Sequence, residues 1–115
     1  MNQPPQNPGN PPLSHSPEDV RILELRPEPW PGSNRVKVHV TLVPRRARLN
    51  LEASISNSLG EKMSSVDIVE ITESKFVFTM HLPGEKSPGI YLLKTRLFSE
   101  SVPWFDEKEV SFEIS

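Results

Sequence analysis

Between Arg35 and Val43 the chain alternates without a break, with Val36, Val38, Val40 and Leu42 on one side and Arg35, Lys37, His39 and Thr41 on the other. A period of two predicts a β-strand with one buried and one wet face. The pattern returns at Leu49–Ser56, where Leu49, Leu51, Ala53 and Ile55 form the inward set. It returns again at Lys75–Leu82, with Phe76, Phe78, Met80 and Leu82 inward. Ile90–Phe98 and Glu107–Ile114 add two more strands, the last placing Val110, Phe112 and Ile114 inward. Val20–Leu25 and the less regular Lys62–Ile71 complete a set of seven.

Breakers separate these runs. Pro27, Pro29 and Pro31 are expected to end the first strand, since each removes a ladder donor. Asn57-Ser58-Leu59-Gly60-Glu61 reads as a hairpin turn, with Gly60 where a positive φ is needed. Pro44–Arg48, Thr72–Ser74, Pro83–Gly89 and Ser99–Asp106 divide the remaining strands. Short strands at this spacing, with no helical periodicity of any length, predict an all-β fold: a seven-stranded antiparallel sandwich over residues 20–115. Ahead of it, residues 1–19 carry six prolines among Asn, Gln, Ser and Gly and no aromatic residue. Such a segment cannot bury enough surface to offset its ordering entropy, so a disordered Pro-rich N-terminal tail is expected. Its PxxP spacings lack flanking basic residues, which favours a linker over a ligand.

Composition narrows the function more than it names it. The 115 residues carry a formal net charge of −2. Glu18 and Asp19 precede the first strand, so the remainder is balanced at 13 basic and 13 acidic residues. No basic field marks a nucleic-acid partner. There is no cysteine, hence no disulfide framework and no thiolate metal site. No apolar run approaches membrane-spanning length, and a basic, apolar leader is missing from the start, so a soluble, cytoplasmic protein is expected.

The turn before the sixth strand adds a resemblance. Ser87, Gly89, Tyr91 and Leu93 stand where many immunoglobulin-like domains carry Asp-x-Gly-x-Tyr-x-Cys. The chain therefore resembles an immunoglobulin-like or fibronectin type III-like sandwich. The resemblance implies that Tyr91 is a tyrosine-corner residue, bonding upstream backbone through its hydroxyl. It also implies that Leu93 replaces the second cysteine of the core pair and faces Val38 or Val40. The cysteine pair itself is absent, and Trp30 lies in the first loop rather than on the third strand, so no antibody-type or receptor-type assignment follows.

If the strands alternate up and down, the second-to-third and sixth-to-seventh connections share one end. That end would collect Arg45, Arg46 and Arg48 with Val102, Trp104, Phe105 and Asp106, and Glu73 between them. Exposed Trp and Arg anchor interfaces, so this rim is the first candidate binding site. The plainer alternative folds Trp104 and Phe105 over the open core and pairs the arginines with Asp106, Glu107 or Glu100. A second candidate is the outer face of the sixth strand, where Ile90, Leu92 and Phe98 point away from the core and would suit a protein partner or a weak homodimer. Trp30 is expected as a plug at the far end, apart from Trp104, which argues against a coplanar platform for sugar rings.

Catalytic and cofactor chemistry find little support. No Gly-x-Ser-x-Gly elbow, Gly-rich phosphate loop or facing carboxylate pair is present. His39 and His81 fall on outward positions of strands that pair in this fold, so they could meet as cross-strand or diagonal neighbours. Two histidines, with Glu24 as the nearest further ligand, make a poor zinc site. The reading is a non-enzymatic interaction or accessory module without metal or cofactor. A carbohydrate-binding module is the alternative, and a small metal-dependent or hydrolytic enzyme a remoter one.

Overall fold

Seven strands follow one another: β1 (Arg21–Pro29), β2 (Arg35–Val43), β3 (Leu49–Ser56), β4 (Lys62–Ile71), β5 (Lys75–His81), β6 (Gly89–Phe98) and β7 (Asp106–Ile114). They are seen in a computed structural model that describes residues 20–43, 48–84 and 88–114. The expected tail, residues 1–19, lies outside the described residues. All pairings are antiparallel, in a three-stranded sheet of order β1-β2-β5 and a four-stranded sheet of order β4-β3-β6-β7. Among the described residues no helix is long and apolar enough to cross a membrane.

The alternating residues do what their period demands. Val36, Val38, Val40 and Leu42 of β2 face Leu49, Leu51, Ala53 and Ile55 of β3 across one core, all of them 1% exposed or less. Tyr91, Leu93 and Leu97 of β6 and Ile114 of β7 complete the four-stranded side. Tyr91 is buried, and its ring stacks on Phe112 at 5.9 Å and 25°. Glu85–Ser87, the upstream segment to which a corner hydroxyl would bond, lie outside the described residues.

The first strand corrects an expectation. Pro27 and Pro29 do not end it; they pair with Val38 and Val36. The reason is geometric. Trp30 N–H donates to the Arg35 carbonyl at 3.0 Å, so alternate residues Glu28 and Arg26 also point their amides at β2. The nitrogens of Pro27 and Pro29 therefore face the free edge, where a missing donor costs nothing.

A bulge between Ile22 and Glu24 shifts the β1 register. Beyond it the Ile22 amide points away from β2 and donates to Asp106 Oδ2 of β7 at 2.9 Å. The other oxygen, Asp106 Oδ1, accepts from Glu107 N–H at 2.9 Å. One carboxylate thus clips the edges of the two sheets together. Asp106→Ala strands the half-buried Ile22 amide, and we expect a loss of about 1–3 kcal/mol in urea unfolding. An unchanged midpoint would show that the clip contributes nothing.

The order of the sheets also places β4 beside β3. Constant-type immunoglobulin domains put the fourth strand in the other sheet, beside the fifth. Here the flank of β5 away from β2 carries no strand among the described residues.

Candidate functional site

At one end of the sandwich the start of β1, β3, β5 and β7 meets the finish of β2, β4 and β6. The register shows it: Arg21 lies opposite Val43, Leu49 opposite Ile71, and Leu97 opposite Asp106. Arg48 and Glu73 are exposed at this end, and the Ser74 carbonyl accepts from Leu42 N–H at 2.7 Å. Arg45 and Arg46 lie outside the described residues.

The loop from Ser99 to Phe105 is tied down along its length. Ser99 N–H donates to the Val102 carbonyl at 2.8 Å, and Val102 N–H donates back to Ser99 Oγ at 3.1 Å. Phe105 N–H reaches the Leu97 carbonyl at 2.7 Å. Arg96 Nη1 donates to the Pro103 carbonyl at 2.9 Å. Phe105, half-buried, packs on the core as a lid. Trp104, between these ties, is left 54% exposed. The two aromatics of one motif thus divide between core cover and open surface.

Arg96 is the residue that pattern reading missed. It braces Pro103, donates through Nε to Glu52 Oε1 at 3.1 Å, and lays its guanidinium 4.5 Å from the centre of the Phe98 ring. A planar fork over an aromatic face, with two directional bonds, is geometry that lysine cannot copy. Asp106, one of three carboxylates that the plainer alternative offered to the arginines, gives its two oxygens to the backbone amides of Ile22 and Glu107.

The outer face of β6 does not form one apolar surface. Phe98 lies under Arg96, Leu92 is half-buried opposite Ser56 and Ser111, and Ile90 is 51% exposed at the far end. Eight residues separate Ile90 from Phe98, roughly 27 Å along a strand. Charged rows fill the space between. Glu52, Arg96 and Glu107 lie abreast across β3, β6 and β7, and Ser54, Lys94 and Glu109 form the next row. They floor a polar concavity of about 500 Å³. Ile90 borders a separate cleft of about 240 Å³ with Leu59, Met63, Leu82 and Pro88.

The outer face of the three-stranded sheet holds Trp30, and here the plug expectation fails. Because β1 runs on through Pro29, alternation turns Trp30 outward, away from the core. Lys37 Nζ sits 4.8 Å from the centre of its ring and the Arg35 guanidinium 6.0 Å. His39 and His81 are not neighbours either. His39 pairs with Val77 and His81 with Arg35, four residues apart along the ladder, roughly 13 Å. His39 instead makes a 2.8 Å bond to Glu28 across β1. That hydrogen bond holds the Glu28 carboxyl below its ordinary pKa. Among the described residues no group of three His, Cys, Asp or Glu side chains is placed to hold a metal.

The fold and this end define an all-β two-sheet sandwich with a braced aromatic loop. Among the solved structures the chain is similar to are glycoside hydrolases. A glycosyl hydrolase family 2 member from Bacteroides cellulosilyticus DSM 14838 matches 84% of this chain with 14% identity and a TM-score of 0.61. A β-glucuronidase from glycoside hydrolase family 2 matches 84% with 14% identity and a TM-score of 0.60. An FMN-binding β-glucuronidase from Facaelibacterium prausnitzii L2-6 matches 84% with 13% identity and a TM-score of 0.56. The matched part is 13 to 15% of each of those proteins. At such identity the likeness shows the fold alone. No protein-family model matches the chain, and no curated protein matches it.

Proposed function

We propose that the chain is a non-enzymatic interaction or accessory module of the immunoglobulin-like or fibronectin type III-like kind, docking a protein through the Trp104 end. One observation carries this: Trp104 is more than half exposed on a loop that four hydrogen bonds hold in place. An apolar anchor presented on a pre-organised loop loses little entropy on binding, and buried Trp and Arg anchors dominate interface energies. Arg48, exposed beside the same end, supplies the matching charge. The similar structures support an accessory role, since the sandwich is there one small part of a much longer chain.

Those neighbours also favour a second reading, because two of them are named β-glucuronidases. A carbohydrate module would use the same exposed Trp104 as a stacking face. Trp30, at the opposite end and turned to the other sheet's outer face, cannot join it.

The test is a capture experiment with the full chain and Trp104→Ala side by side. A partner retained by the native protein should bind the variant at least about 30-fold more weakly, as expected for a tryptophan hot spot. Equal retention would remove Trp104 from the interface. A tryptophan-fluorescence titration with glucuronides and neutral glycans decides the second reading. A saturable shift lost in Trp104→Ala would favour sugar over protein.

A further inference from the structure

A sheet edge is a row of unpaired N–H and C=O groups, and proteins usually blunt it. Among the described residues the two sheets have four edges, and three are guarded. β1 carries Pro27, Pro29 and the bulge after Ile22. β7 begins Asp106-Glu107-Lys108-Glu109 and is clipped to β1 through Ile22. β4 is broken by register shifts near both ends, and Glu70 takes a φ of 53°, held by Asn50 Oδ1 accepting from its amide at 3.0 Å. β5 has none of these devices. It runs in unbroken register against β2 from Lys75 to His81, with no proline, no bulge and no charge between its ends.

The ladder fixes which groups face outward. Leu42 N–H bonds the Ser74 carbonyl and Leu82 N–H the Asn34 carbonyl, at 2.7 and 2.8 Å. These bracket β5, so Phe76, Phe78 and Met80 exchange bonds with β2. The amides and carbonyls of Lys75, Val77, Thr79 and His81 therefore point to the open edge. Among the described residues the side chains along this edge are also incompletely covered. Phe76 and Phe78 face the core and stack at 6.2 Å, yet remain only partly buried. Val77 is 51% exposed on the outer face.

We propose that a second copy of this chain pairs with this edge, β5 against β5, about a two-fold axis at Phe78. In that antiparallel register Val77 lies opposite Thr79 and Lys75 opposite His81. All four are residues whose backbone groups point outward, so each such pair exchanges both N–H···O bonds. Phe78 meets Phe78 and Phe76 meets Met80 on the core side, closing the open flank where constant-type immunoglobulin domains hold their fourth strand. Outside, β-branched Val77 and Thr79 pair favourably. No like charges are opposed except through a protonated His81. The strand is thus self-complementary, as an isologous interface requires. A single strand pair is a small contact, so the association is weak.

Sedimentation velocity of the full chain from about 10 μM to about 1 mM spans the range expected of such a contact. The average mass should rise from monomer towards dimer, and the amides of Val77 and Thr79 should gain exchange protection in parallel. Thr79→Pro removes a donor that β2 does not use and should weaken association at least about tenfold. Val77→Lys, a surface change that leaves the ladder untouched, should do the same if the proline variant fails to fold. A monomer throughout would overturn the proposal, as would association that both variants preserve. Protection of those amides by some other extended chain, without self-association, would overturn it too.

Discussion

Leu93→Ala should destabilise the protein by about 3–5 kcal/mol, the range for deleting a fully buried leucine. Leu93 is 0% exposed, pairs with Ile55 on one side and Val110 on the other, and sits in the same core cluster as Val38 and Val40. In the immunoglobulin-like resemblance it would take the place of a sheet-linking cysteine, and the chain has no cysteine. Here the sheets are joined by packing and by the Asp106 clip at one edge, so the loss of packing at this point has no covalent reserve. Each kcal/mol should move the melting temperature by about 4–8 °C in a domain of this size. Against a usual total of about 5–15 kcal/mol, the variant is left with a thin margin. Chemical denaturation with an unchanged m-value reads the effect. A cost below about 1 kcal/mol would mean that neighbours collapse into the space and that Leu93 is not a keystone of the core.

What could be read from the residues divides along a physical line. Strand existence and facing follow from alternation, because a one-residue slip would turn Val36, Val38, Val40 and Leu42 into water. That is why β2 and β3 lie where their pattern predicts, with the inward sets buried. The sheet to which β4 belongs could not be read this way. Its apolar residues suit either neighbour, and the choice between β3 and β5 rests on backbone pairing. Pro27 and Pro29 misled because a proline reports a missing donor but not which side that donor would have faced. Trp30 followed from the same error: the four further residues of strand, through Pro29, turn it from a plug into an outward-facing residue beside Lys37 and Arg35.

The candidate site was legible as a neighbourhood and not as a set of contacts. Up-and-down topology brings Arg48, Glu73 and Trp104 to one end, and that much needs only strand order. The split between Phe105 as lid and Trp104 as open surface depends on the loop's hydrogen bonds. Arg96 was hidden because, in sequence, it is one polar residue in an alternating strand. Its role appears only when Glu52 of β3 and Pro103 of the loop arrive beside it, with Phe98 two residues along its own strand. Likewise, the bulge at Ile22 frees one amide, and only the folded register shows that Asp106 receives it. Patterns of two report faces well; they are silent about side chains that bridge elements.

Tyr91 offers the second large effect and separates ring from hydroxyl. Tyr91→Ala should cost about 3–5 kcal/mol, as for truncation of other buried aromatics. The ring is 5% exposed, stacks on Phe112, and lines the inner wall of the cleft bordered by Ile90 and Leu59. Removing it opens a hole at the junction of β6 with β7, beside residues already half exposed to water. Tyr91→Phe keeps the ring and its stacking and deletes only the hydroxyl. If that hydroxyl serves as a corner bond to upstream backbone, the change should cost about 1–3 kcal/mol, because a buried acceptor loses its donor. The pair of variants is therefore diagnostic. A large loss for alanine with a neutral phenylalanine would make Tyr91 a packing residue and dissolve the tyrosine-corner resemblance, while leaving the two-sheet sandwich as it stands. Losses in both, differing by about 2 kcal/mol, would place the corner at the start of β6 on energetic grounds independent of any likeness to other proteins.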